Sequence, residues 1–139
     1  MISVEEALSL INKESFFLKK EENLLVSECL GRILAKPIVA PINLPSFRQS
    51  VMDGYALCLN DSNQYQVIGE IKAGDSPNLT LKSGKCVRIY TGAAVPEMAN
   101  AVVMQEKISV KEDYIQINEI PSLNHNIREI GSQIKAGDI

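Results

Sequence analysis

Ala101-Val102-Val103-Met104, Ile108-Ser109-Val110 and Tyr114-Ile115-Gln116-Ile117 follow one another with only Gln105-Glu106-Lys107 and Lys111-Glu112-Asp113 between them. Each run is too short for a stable helix and is rich in β-branched residues. The last two alternate apolar with polar side chains, the period of a strand with one solvated face. The charged Lys111-Glu112-Asp113 between two such runs predicts a hairpin. Towards the N-terminus the same grain continues in Tyr65–Ile68, Leu79–Leu81 and Cys86–Tyr90, broken by Gly74-Asp75-Ser76-Pro77, Ser83-Gly84 and Gly92. Short runs of this kind, packed into about 55 residues with no helix between them, predict an antiparallel sheet curled into a small barrel or sandwich.

Helical spacing is confined to the N-terminal part. Ser3 and Glu6 form a capping box, and Val4, Ala7, Leu8 and Ile11 fall on one face behind it. Residues 12–22, with Phe16, Phe17 and the self-cancelling Lys19-Lys20-Glu21-Glu22, read as a connector. A second helix is predicted from about Ser27 to Ala35 with Leu30, Ile33 and Leu34 on its apolar face. Gly31 inside it costs about 1 kcal/mol relative to Ala, and reads as a point of close packing. Pro37, Pro41 and Pro45 predict an extended link. After Pro121 the pattern loosens, and Lys135-Ala136-Gly137-Asp138-Ile139 reads as a turn entering a strand. The expected fold class is α+β and mostly β. A small antiparallel β-barrel-like domain, residues 46–122, is inserted into a small discontinuous α/β domain, residues 1–45 plus 123–139, that is incomplete at its C-terminal end.

The chain has 139 residues, 45% hydrophobic and 22% charged. That composition excludes a disordered tail and a disulfide-held mini-protein, and no apolar stretch is long enough to span a bilayer. Fourteen basic against seventeen acidic residues give a net charge of −3, which disfavours nucleic-acid binding by bulk electrostatics. The N-terminus lacks the basic start and apolar core of a signal peptide, so a cytoplasmic protein is expected, with no membrane partner. Cys29, Cys58 and Cys86 are far apart and never in a C-x-x-C pair. They are expected to be reduced, mostly buried thiols, with neither a disulfide nor a zinc site. His125, the single histidine, is a weak basis for a metal site or a nucleophile pair.

Two segments carry more special residues than a strand needs. In Pro45-Ser46-Phe47-Arg48-Gln49-Ser50-Val51-Met52-Asp53-Gly54-Tyr55-Ala56, Arg48, Ser50 and Asp53 cluster around an Asp-Gly turn. A carboxylate on a tight loop can bind a hard cation or orient a water; Asp-Gly is also simply a common turn. In Arg88-Ile89-Tyr90-Thr91-Gly92-Ala93-Ala94-Val95-Pro96 the small residues let backbone approach a ligand, and successive N–H groups can form an anion-binding concavity. The spacing is not that of a P-loop. A third segment, Asn126-Ile127-Arg128-Glu129-Ile130-Gly131, offers Arg128, whose planar fork suits phosphate or carboxylate.

Together these segments resemble one family. Ser50-Val51-Met52-Asp53-Gly54-Tyr55-Ala56 is similar to the S-x-M-D-G-Y-A signature of the molybdopterin molybdotransferases, the MoeA and gephyrin E-domain family. Arg88–Pro96 resembles its R-I-x-T-G-A-x-x-P segment, and Ala101-Val102-Val103-Met104-Gln105-Glu106 its A-V-V-x-x-E strand. Leu30–Ala35 and Asn126–Gly131 match in order and spacing. The resemblance spans nearly the whole chain and implies the N-terminal region, domains I and II, of an enzyme perhaps three times longer. The family inserts molybdate into adenylylated molybdopterin with a divalent cation, Mg²⁺, releasing AMP. It works as a homodimer whose site lies between the pterin-binding domain of one subunit and the N-terminal loops of the other. By motif match, Asp53 carries over as the acidic, metal-holding residue and Thr91 as the site hydroxyl. Ser50, Gly92 and Arg128 carry over as substrate-binding residues. The chain alone is then expected to be inactive. It departs from the family at Ser132-Gln133, where an acidic pair is usual, and at Arg48-Gln49, where Asp-Asn is frequent. The alternative reading is a non-catalytic β-domain acting as a dimerisation or interaction module, since the chain has no nucleotide loop and no nucleophile pair.

Overall fold

The structure, a computed structural model, describes residues 2–14, 21–76 and 79–139. It falls into two compact units, Met1–Pro37 and Ile38–Ile139.

In the first unit, α1 spans Val4–Glu14. The capping box forms as expected: the Glu6 N–H donates to Ser3 Oγ at 3.1 Å and the Ser3 N–H to Glu6 Oε2 at 3.0 Å. The apolar stripe is not buried within this unit; Val4 is 71% exposed and Ile11 62%. The predicted helix over Ser27–Ala35 does not form. A single 3₁₀ turn, Val26–Glu28, takes its place. The cause is Gly31, which sits at φ +79°, a left-handed conformation open to glycine and incompatible with a continuing helix. A Cβ there would meet nothing within 4 Å, so Gly31 is a turn residue and not a packing point. Leu30 and Ile33 stay almost wholly exposed, and a short amphipathic helix with nothing to bury its face is not stable in water. Within the expected connector, Phe16, Phe17, Lys19 and Lys20 lie outside the described residues; Glu22 pairs with Arg32 at 2.9 Å.

The second unit is built of strands. β1 (Gln49–Ser50) pairs antiparallel with β8 (Ile127–Arg128). The others are β2 (Gly54–Leu57), β3 (Gln64–Ile71), β4 (Lys85–Ile89), β5 (Ala101–Met104), β6 (Ile108–Lys111) and β7 (Tyr114–Ile117). They form one sheet in the order β5-β2-β4-β3-β7-β6, curled into a half-barrel, so the α+β, mostly-β class holds. The β6–β7 hairpin is the expected one; Lys111 faces Tyr114, and Glu112 takes φ 53°, as a tight hairpin turn requires.

Three local expectations need correction. The sheet is mixed, because β3 and β4 run parallel. Residues 72–84 between them are about the dozen a parallel crossover needs, too many for a hairpin. Leu79–Leu81 is not a strand but part of this crossover, and it buries Leu81 in the core. Finally, β2, absent from the strands expected from sequence, is a central strand. It lies between β4 and β5, with Tyr55 opposite Arg88 on one side and Val103 on the other.

β2 and β4 are buried on both faces. Ala56, Val87, Ile89 and Val102 belong to one cluster with Ile71 and Leu81. Leu57, Cys86 and Val103 belong to a second with Tyr65, Ile115 and Ile117. Burial of side chains such as Leu57, Ile89 and Ile115 contributes about 1.5–3 kcal/mol each. The closeness of β2 to β5 depends on Gly54: a Cβ there would lie 1.9 Å from the Val103 carbonyl oxygen. The outer side of β5 is covered by residues 124–126, where the Val102 N–H donates to His125 O at 2.9 Å and Asn126 Nδ2 to Val102 O at 3.0 Å. The proline-spaced residues after Pro37 run beside the C-terminal residues; the Leu44 N–H donates to Ile134 O and the Ala40 N–H to Asp138 O, both at 2.8 Å.

All three cysteines are free thiols, but only Cys58 and Cys86 are buried; Cys29 is exposed on the 3₁₀ turn. Among the described residues no helix is long and apolar enough to cross a membrane.

Candidate functional site

The two segments singled out in the sequence lie against each other. The Gly92 N–H donates to Ser50 O at 2.9 Å, the Ser50 N–H to Ala93 O at 3.0 Å, and the Val95 N–H to Arg48 O at 2.9 Å. This short antiparallel zip ends at an open corner occupied by Asp53 and Thr91. There Asp53 Oδ1 accepts two hydrogen bonds, from the Thr91 N–H at 2.7 Å and from Thr91 Oγ1 at 2.8 Å. Both side chains are exposed. The two donors bond the charged form of the carboxyl and so hold Asp53 below the usual carboxylate range. The Thr91 backbone N–H is the main cause and its hydroxyl the next; slight desolvation opposes them, and the charge of Arg88 assists.

Local chain geometry explains the corner. Gly92 adopts φ +84°, letting the chain reverse directly after Thr91 and return its N–H to Ser50. Ser50 is buried, and its Oγ donates to Met52 O at 2.7 Å, closing the bend that carries Asp53. Arg128, half-buried on β8, donates from Nη1 to Gln49 Oε1 at 3.3 Å, and Gln49 Nε2 donates to Gly92 O at 3.2 Å. The fold therefore brings together Ser50, Asp53, Thr91, Gly92 and, through Gln49, Arg128. Asp53 and Thr91 point outwards, and Ser50 braces them from beneath.

Arg48 is occupied elsewhere. It donates to Glu97 O at 3.2 Å and Ala99 O at 2.9 Å, and pairs with Glu129 at 3.6 Å. Its positive charge locks the turn after Pro96 to the segment after β8. At the other departure, Ser132 and Gln133 make backbone bonds to Glu129 O and Leu44 O.

Sequence reasoning assigned no role to Arg88, Tyr55, Tyr90 or Gln105. The Arg88 guanidinium lies 5.2 Å from the Tyr55 ring centre and 5.0 Å from that of Tyr90. It donates from Nη1 to Gly54 O at 3.2 Å and from Nη2 to Gln105 Oε1. The signal was alternation: Arg88 and Tyr90 share a face of their strand, but Tyr55 joins them only once Gly54–Leu57 is recognised as the strand beside it.

His125 lines a cleft of about 470 Å³ with Met104, Lys107, Glu119 and Ser122. Among the described residues no three His, Cys, Asp or Glu side chains gather as a metal site. Asp53 offers one carboxylate. That suits Mg²⁺, which is commonly held by one or two carboxylates and completes its shell with phosphate oxygens and water; it would not suit an all-protein cage.

Comparison with known proteins bears on what this corner serves. A family model described as the MoeA N-terminal region, domains I and II, matches residues 2–139. The molybdopterin molybdenumtransferase of Haemophilus influenzae is 41% identical over 143 residues, covering all of this chain and 35% of that protein. Gephyrin of Dictyostelium discoideum is 32% identical and matches over 22% of its own length. A crystal structure of a molybdopterin biosynthesis protein from Pyrococcus horikoshii superposes with a TM-score of 0.85 at 29% identity, over 97% of this chain and 38% of that one. The chain thus spans about a third of the length of the Haemophilus influenzae transferase.

Proposed function

Because the chain belongs to the family whose N-terminal region comprises MoeA domains I and II, we propose that it is the N-terminal third of a molybdopterin molybdotransferase. In this reading the whole protein inserts molybdate into adenylylated molybdopterin. The observation that carries the proposal is the corner itself: a carboxylate and a hydroxyl joined by two short hydrogen bonds, both exposed, on loops braced from behind.

Asp53 is the acidic residue of the site. Its Oδ1 is held by Thr91, which keeps the group ionised and fixes its direction. With Mg²⁺ bound at Asp53, the ion would supply charge neutralisation at a phosphate oxygen of the substrate. Thr91 sets the rotamer of Asp53 and presents its own oxygen beside it. The loop Thr91-Gly92-Ala93 offers backbone with little side-chain bulk to an incoming anion. Arg128 and Gln49 keep that loop in register with β1. In this reading the chain alone is inactive, and the pterin-binding residues come from the partner subunit of a cytoplasmic homodimer. Residues 1–45 with 123–139 make the discontinuous α/β domain, and residues 46–122 the barrel-like one. The pairing of Ala40 and Leu44 with Asp138 and Ile134 supports grouping residues 38–45 with the C-terminal residues.

A composite site is testable by mixing. Full-length protein carrying Asp53→Asn is combined with full-length protein inactivated in its pterin-binding domain, and the dimers are allowed to exchange. Half of the dimers then hold both defects on separate chains and regain one intact site of two, so about a quarter of wild-type activity returns. A mixture as inactive as its parents would show that each site is built within one subunit.

A further inference from the structure

Building on the role proposed for Asp53, we propose that Arg88 is a positioning residue: it aims the Asp53 carboxylate by holding the Gly54 carbonyl directly and the Asp53 carbonyl through Gln105, and by tying that corner to the Thr91 turn. Asp53 is exposed on a bend, so the backbone on which it stands sets where its carboxylate points. Two groups grip that backbone. The Gln105 N–H donates to Asp53 O at 3.2 Å, and Arg88 Nη1 donates to Gly54 O at 3.2 Å. Arg88 Nη2 also donates to the side-chain oxygen of Gln105, so the residue holding Asp53 O is itself held.

The guanidinium is fixed in turn by the two tyrosine rings, Tyr55 at 5.2 Å and Tyr90 at 5.0 Å. Tyr55 is the next residue after the corner and stands opposite Arg88 in the ladder. Tyr90 precedes Thr91, and its carbonyl accepts the Ala93 N–H at 3.0 Å, closing the turn that presents the threonine. One guanidinium thus spans the two turns whose meeting makes the Asp53–Thr91 pair. Only a planar fork can serve two acceptors and two ring faces together; an ammonium cannot.

The amide proton of Thr91 reports the result, because its hydrogen bond to Asp53 Oδ1 draws its NMR resonance downfield. In the metal-free 139-residue chain, Asp53→Ala marks the position without the acceptor. Arg88→Met keeps the hydrocarbon stem between the tyrosines and removes the fork. The expected result is a Thr91 resonance displaced towards the Asp53→Ala position, with the amides of Tyr65 and Ile115 unmoved, and no rescue by Arg88→Lys. A Thr91 resonance left at its wild-type position in Arg88→Met overturns the proposal. Should Arg88→Met fail to fold, Gln105→Ala removes only the outer acceptor; it is expected to move Thr91 in the same direction by less, and no movement overturns the proposal. Full activity of full-length Asp53→Asn would remove the site reading while leaving the Thr91 shift to judge Arg88.

Discussion

At Asp53 the decisive fact is that two donors of one residue meet one oxygen. Both bonds favour the ionised carboxyl, so its pKa is depressed on folding. The stability these bonds contribute is present above the unfolded-state carboxylate pKa and is lost as pH falls through the lower, folded value. Thr91→Val removes the hydroxyl and keeps the N–H. Carbon-13 NMR of the Asp53 carboxyl in the metal-free chain should therefore show its midpoint rising part of the way back to the ordinary range; an unchanged midpoint would mean the hydroxyl is not bonded to it. Gly54 makes a different prediction. The sequence read Asp53-Gly54 as a common turn, but what position 54 requires is the absence of a Cβ, since one would strike the Val103 carbonyl. Gly54→Ala is expected to cost about 3 kcal/mol or more, read as a lower midpoint in urea. Asp53 and Thr91 were legible in the sequence because each sits in a dense local motif. Arg88 was not, because Gly54, Tyr55 and Gln105, which it holds, lie far from it in the sequence.

Among the elements, legibility followed how local the deciding interaction was. The capping box of α1 and the β6–β7 hairpin depend on residues within a few positions of each other, and both form as read. β2 was missed because Tyr55-Ala56-Leu57 is short, follows an Asp-Gly pair and, buried on both faces, shows no alternation. The helix expected near Leu30 had the right spacing, but one left-handed glycine outweighed it. Burial also makes a chemical prediction at this scale. Desolvation pushes the Cys86 thiol up to about 12, so little of it is thiolate at neutral pH. Iodoacetamide should alkylate exposed Cys29 readily and Cys86 only on unfolding, as peptide mapping would show. Comparable rates in native protein would contradict the burial of β4.

For the molecule as a whole, no single segment carried the family resemblance; it lay in five segments kept in order along 139 residues. The fold gives that order a physical sense, because β1, β2, β4, β5 and β8 are the strands that bring Ser50, Asp53, Thr91, Gly92 and Arg128 to one corner. What the sequence left hidden was the crossover that makes β3 and β4 parallel, since strand order depends on contacts between distant residues. The corner is open, and the chain is about a third of the length of the transferase relative it resembles over its full span. The chemistry is accordingly proposed for the full-length dimer. The most direct test is molybdenum insertion by full-length protein carrying Asp53→Asn, a change that keeps the shape of the side chain and removes its charge. Turnover is predicted to fall by about a hundred-fold or more with the thermal midpoint nearly unchanged; wild-type turnover in that variant would contradict the account.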